Sequence, residues 1–86
     1  MPVISRFFGV VVYMNHADHS PPHFHARYSE WEAMFGIDPV ALLRGELPPR
    51  VIGMVIEWAT QHGLELAADW DRARQGRSLV PIEPLR

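Results

Sequence analysis

Apolar positions along the chain follow two periods, first of two residues and then of three to four. Between Ile4 and Met14 β-branched and aromatic residues dominate, and such residues favour strands. Both alternating faces are apolar there, with Phe8, Val10, Val12 and Met14 on one and Phe7, Val11 and Tyr13 on the other. The pattern predicts one inner strand covered on both sides. Asn15 to Pro22 reads as a loop, because the Pro21-Pro22 pair fixes φ at two positions and restricts Ser20 before it. From His23 to Tyr28 polar and apolar residues alternate, and successive strand side chains point to opposite faces. Phe24, Ala26 and Tyr28 then face a core, while His23, His25 and Arg27 share the other side. Ser29-Glu30 predicts a tight turn into Trp31–Ile37, where Trp31, Ala33, Phe35 and Ile37 share a face. Connections this short permit only hairpins, so the strands form an antiparallel meander.

The second half changes period. Asp38-Pro39 to Gly45 carries a capping residue, proline at the first helical position and glycine past the end, which predicts one or two helical turns. A short edge strand is the alternative. From Pro48-Pro49 onward, Val51, Val55, Trp58, Ala59, His62, Leu66, Trp70 and Ala73 recur at steps of three and four, the stripe of an amphipathic helix running to about Gln75. Gly63 lies inside it at a cost of about 1 kcal/mol, which allows a kink or two helices. Gly76 ends the helix, and Leu79-Val80-Pro81-Ile82 returns as an extended edge segment. The expected fold is α+β: an antiparallel meander of about three to four strands against one long C-terminal helix, with a short extended tail, in a single domain over residues 1–86.

Composition sharpens this picture. An 86-residue chain buries a small core, so a homodimer or a partner chain is expected. The net charge of −2 gives no overall basic footprint, and any nucleic-acid contact has to be local. All eight basic side chains are arginine, which suits planar recognition of carboxylate or phosphate. With no cysteine, disulfides, thiolate metal sites and thiol nucleophiles are excluded. No stretch approaches the apolar length of a membrane span, and a cytoplasmic location is expected. Glu57, Glu65, Asp69 and Asp71 read as solvated helix positions.

Chemistry concentrates in one place. Four of the five histidines lie between His16 and His25, together with Asp18 and followed by Arg27 and Tyr28. One reading is a divalent transition metal held by His19, His23 and His25, with Asp18 or His16 completing the set, since neutral imidazole and carboxylate suit zinc, nickel, copper or iron. A second needs no cofactor: His23 and His25 act as base and acid while Arg27 stabilises charge on a phosphate, sufficient to cleave RNA through its own 2′-hydroxyl. In this reading the candidate catalytic residues are His19, His23, His25 and Arg27, supported by Asp18, Pro21, Pro22 and Tyr28. The third reading is an interface, in which the histidines tie a proline-rich loop to the sheet and meet a protein partner. Trp31 is a further candidate, as a platform for a base.

A resemblance rests on the same residues. Met1-Pro2-Val3-Ile4-Ser5, Asp18-His19-Ser20-Pro21-Pro22-His23-Phe24-His25-Ala26-Arg27-Tyr28, Gly45-Glu46-Leu47-Pro48, Glu57-Trp58-Ala59, Leu66 with Asp69-Trp70, and Ile82-Glu83-Pro84-Leu85 resemble a family of small bacterial proteins of uncharacterised domain class. Some of its members are toxins of the DhiT type in type II toxin-antitoxin modules. The resemblance implies a toxin held inactive by a small cognate antitoxin protein. It carries over Asp18, His19, Pro21, Pro22, His23, Phe24, His25, Ala26 and Tyr28 as a motif, without a catalytic assignment. The chain departs from the family pattern at Ser29, where glycine is expected in the turn, and at Gly63.

Overall fold

A computed structural model describes residues 2–86; Met1, part of the arrangement quoted above, lies outside the described residues. The architecture is α+β. Five strands, β1 (Val3–Phe7), β2 (Val10–Tyr13), β3 (His23–Tyr28), β4 (Trp31–Ile37) and β5 (Val40–Glu46), form one antiparallel sheet in sequence order. Two helices, α1 (Pro49–Gln61) and α2 (Gly63–Arg74), follow.

β3 and β4 have the bounds expected from alternation. Ser29 takes φ +54° in the turn between them, the conformation for which glycine is the usual choice in a two-residue hairpin. Two expectations are corrected, the sheet has five strands where three to four are expected, and of the alternatives left open at Gly63 the chain takes two helices. The apolar run from Ile4 to Met14 is a hairpin and not one strand: Phe8 and Gly9 take φ +48° and +82°, the backbone of a type I′ turn that glycine makes possible. Phe8 consequently stands in solvent, while Phe7 turns inward against Trp58, with ring centroids 5.4 Å apart. The Asp38–Gly45 segment is not the helix but the alternative edge strand: Asp38-Pro39 makes a turn and Val40–Glu46 pairs along β4. The exposed edge strand satisfies its backbone through that ladder, which outweighs the local helix signals. Finally, the helical stripe is divided: His62, at φ −122° and ψ 29°, lies outside helical geometry and separates α1 from α2.

One face of the sheet, with Val10, Val12, Phe24, Ala26, Ala33, Phe35 and Ile37, packs against Val51, Val55, Trp58, Leu66 and Trp70 of the helices in a single core. Fully burying a side chain the size of Phe24 or Val55 is worth about 1.5–3 kcal/mol. The tail closes the edge of this core: Ile82 N–H donates to Ile4 O at 2.8 Å and Trp58 Nε1–H to Glu83 O at 2.8 Å. Asp69 departs from its solvated reading. It is fully buried, and its Oδ1 accepts Arg72 Nη1 at 2.8 Å and the Val80 N–H at 2.9 Å, clamping the tail to α2. Glu57, Glu65 and Asp71 are exposed as expected.

Candidate functional site

Strand alternation puts Val11, Tyr13, His23, His25, Arg27, Glu32, Met34 and Arg44 on the sheet face opposite Phe24 and Phe35. The loop between β2 and β3 folds over the His23 end of that face. It is held from both sides: Ala17 N–H donates to Ala73 O at 3.1 Å, His16 Nε2 to Arg77 O at 3.0 Å, and Ile37 N–H to Pro22 O at 3.3 Å.

This loop delivers Asp18 to His23 and His25. Asp18 Oδ1 accepts the His19 backbone N–H at 2.9 Å, which aims Oδ2 at His23 Nε2 at 3.0 Å and His25 Nε2 at 3.5 Å. His23 Nδ1 lies 2.7 Å from Pro21 O. A carbonyl can only accept, so Nδ1 carries a proton and Nε2 is turned toward the carboxylate. In the neutral ring Nε2 would then present a lone pair to Oδ2. The 3.0 Å approach is satisfied by a second ring proton or by a cation between the two atoms.

His25 is set differently. Its ring stacks on Tyr13, with centroids 4.8 Å apart and planes 11° from parallel, and Tyr13 Oη–H donates to Glu32 Oε2 at 2.7 Å. The buried His25 Nε2 has no partner at good hydrogen-bond geometry, its Asp18 contact being long. His23 is buried between His25, 5.2 Å away edge-on, and Trp70 of α2 at 5.1 Å. Burial raises the Asp18 carboxyl, but the His19 N–H and the two imidazoles outweigh it and hold the group below the usual carboxylate range. Among the described residues, Asp18, His23 and His25 form a set that can hold one metal ion, their ligand atoms lying within 4.8 Å of one another.

The three residues sit in an open depression of about 390 Å³, bordered by His19, Ser20, Met34 and Arg44. Sequence-predicted site residues therefore divide. Asp18, His23 and His25 come together, and Pro21 supplies the orienting carbonyl. The His19 side chain is exposed at the rim and stands outside the three-residue set. Arg27 lies along the strand beyond Tyr13, its guanidinium 5.9 Å from that ring, and Tyr28 packs at the edge of the core on the opposite face. Tyr13, Met34, Arg44 and Trp70 join the site although the pattern around the histidines does not point to them. A two-residue turn at Ser29–Glu30 already pairs His25 with Met34, so Met34 was within reach of sequence reasoning. Arg44 and Trp70 depend on β5 pairing and on helix placement, which local pattern does not carry.

A family model described as "Domain of unknown function (DUF4160)" matches residues 9–71, a span that includes the loop, His23, His25 and most of both helices. No curated protein and no solved structure matches the chain.

Proposed function

The chain belongs to the DUF4160 family, whose description assigns no chemistry, and from the site itself we propose that it is the toxin of a type II toxin-antitoxin pair that cleaves RNA in the Asp18–His23–His25 depression. One observation carries the reading: an inward-facing carboxylate and two imidazoles converge at the floor of an open, water-accessible hollow. A carboxyl held below its usual range beside two imidazoles in a concavity favours a working site over a purely structural cluster.

The proposed reaction is attack of a ribose 2′-oxygen on the adjacent phosphorus with rupture of the P–O5′ bond. The proton lost from O2′ is matched by one delivered to O5′. His19, an exposed imidazole at the rim, is suited to proton exchange with solvent. Arg44, bordering the same hollow, supplies positive charge against the phosphoryl oxygens. A local arginine contact of this kind is compatible with a net charge of −2. The motif's likeness to toxin components supports the biological setting, with a small antitoxin protein as partner, and no described helix is long and apolar enough to cross a membrane.

The test is growth of a bacterial host on induction of this chain alone, beside a His23→Ala/His25→Ala variant of equal solubility and melting temperature. Arrest by the first and growth with the second is expected, with RNA breakdown accompanying arrest. Equal growth with both would remove the toxin reading.

A further inference from the structure

We infer that Asp18, His23 and His25 bind one divalent first-row transition-metal ion through Asp18 Oδ2 and the two Nε2 atoms, with coordination positions left open toward the depression. This deepens the proposed function by naming the cofactor class of the same site; the binding itself does not rest on the toxin reading.

Three independent features point to a metal. The first is the donor set, two imidazoles and one carboxylate with no thiolate anywhere in the chain, which suits zinc or iron(II) and disfavours soft copper(I). The second is spacing. Ligand atoms about 2.0–2.2 Å from one ion stand roughly 2.9–3.5 Å apart at octahedral to tetrahedral angles; Oδ2 lies 3.0 and 3.5 Å from the two Nε2 atoms, and all three ligand atoms lie within 4.8 Å of one another. The third is the outer shell. Metal-bound histidine donates its other ring N–H to a carbonyl or carboxylate, and bound carboxylates are themselves hydrogen-bonded. His23 Nδ1 on Pro21 O and Asp18 Oδ1 on the His19 N–H match that arrangement. An ion also accounts for what the protein atoms alone leave open, the buried His25 Nε2 without a hydrogen-bond partner, and would take the place of the 3.0 Å His23 Nε2–Asp18 Oδ2 hydrogen bond.

The ligand set excludes His19 and His16. The exposed His19 ring stands outside the three residues whose ligand atoms lie close together, while His16 Nε2 is engaged with the Arg77 carbonyl. Three protein ligands with an open side is the pattern of a catalytic zinc site, in which the remaining position takes water or substrate.

The experiment uses the full chain stripped with chelator and titrated by calorimetry with zinc, and separately with cobalt(II) as a spectroscopic probe. One ion per chain is expected. Asp18→Asn, His23→Ala and His25→Ala should each weaken binding at least 10-fold, whereas His19→Ala leaves it within about 2-fold. A zinc-dependent rise in the melting temperature of the wild-type chain serves as a second readout should a variant fold poorly. Absence of stoichiometric binding to the wild-type chain, or binding that survives all three substitutions, overturns the inference. Stoichiometric binding in a chain that does not arrest growth keeps the metal site and removes the toxin reading; arrest by a chain that binds neither ion does the reverse.

Discussion

Replacing Gly45 and Gly53 by alanine should move stability in opposite directions, and the two positions isolate what β5 demands. Gly45 takes φ +87°, and a Cβ placed there would stand 2.3 Å from Glu32 O and 2.9 Å from Ala33 Cα. The left-handed conformation costs a non-glycine residue about 1–2 kcal/mol. The overlap is with backbone of the paired strand and not with a side chain that can swing away, so overpacking adds roughly 1–3 kcal/mol. A loss of about 3 kcal/mol is a large part of the roughly 4–13 kcal/mol expected of a chain this size. Gly53 lies within α1 with nothing within 4 Å of its would-be Cβ, so alanine there gains about 1 kcal/mol from helix propensity. Thermal melting by circular dichroism should show Gly45→Ala lowering the midpoint by roughly 12–24 °C and Gly53→Ala raising it by roughly 4–8 °C. A Gly45→Ala midpoint within a few degrees of wild type would refute the close β4–β5 approach, and with it the register that brings Arg44 to the site.

Other consequences can be checked separately. Burial first, then the hydrogen bond and charge of Glu32, push the Tyr13 hydroxyl up to about 12. In a Tyr28→Phe background, absorbance titration should find Tyr13 ionising near there, and Glu32→Gln should move it down; ionisation near 10 with and without Glu32 would contradict the hydrogen bond. The sign is that of a raised pKa: the neutral phenol is favoured on folding, so this contribution is complete below pH 10 and is lost as pH rises from 10 toward 12. Asp69→Ala strands the Val80 N–H and unpairs Arg72, at a cost of about 2–3 kcal/mol. Hydrogen exchange at Val80 and Ile82 should accelerate by at least 10-fold, and unchanged exchange would show that the clamp contributes nothing.

The histidine strand was legible in the sequence because its information is local. Strict alternation from His23 to Tyr28 sets the face, Pro21-Pro22 sets the start, and Ser29-Glu30 sets the turn. The same alternation concealed the hairpin at Phe8-Gly9, since the residues flanking the turn are themselves apolar and a β-run continues through them without a polar break. At Asp38-Pro39 the residues that cap helices also make turns, and pairing with β4 decides between the two. Asp69 falls beside the buried helical stripe next to Trp70, yet its burial depends on Val80, which returns from the tail to meet it. Asp18 both caps its own loop and faces the histidines, a division of its two oxygens that spacing along the chain does not specify. Oδ1 takes the His19 N–H and Oδ2 meets the His23 ring. Gly63 signalled the division of the helix, and His62 just before it carries the break.

The most direct measurement of the central claim is cleavage of a synthetic oligoribonucleotide by the purified chain, with zinc supplied, compared with Asp18→Asn at matched melting temperature. Asparagine retains an oxygen for the His19 N–H but removes the charge that draws His23 and His25 together. Cleavage by the wild-type chain leaving 2′,3′-cyclic phosphate ends is expected, with a loss of about 100-fold or more in the variant. No cleavage by the wild-type chain, or equal rates in the two proteins, would contradict it.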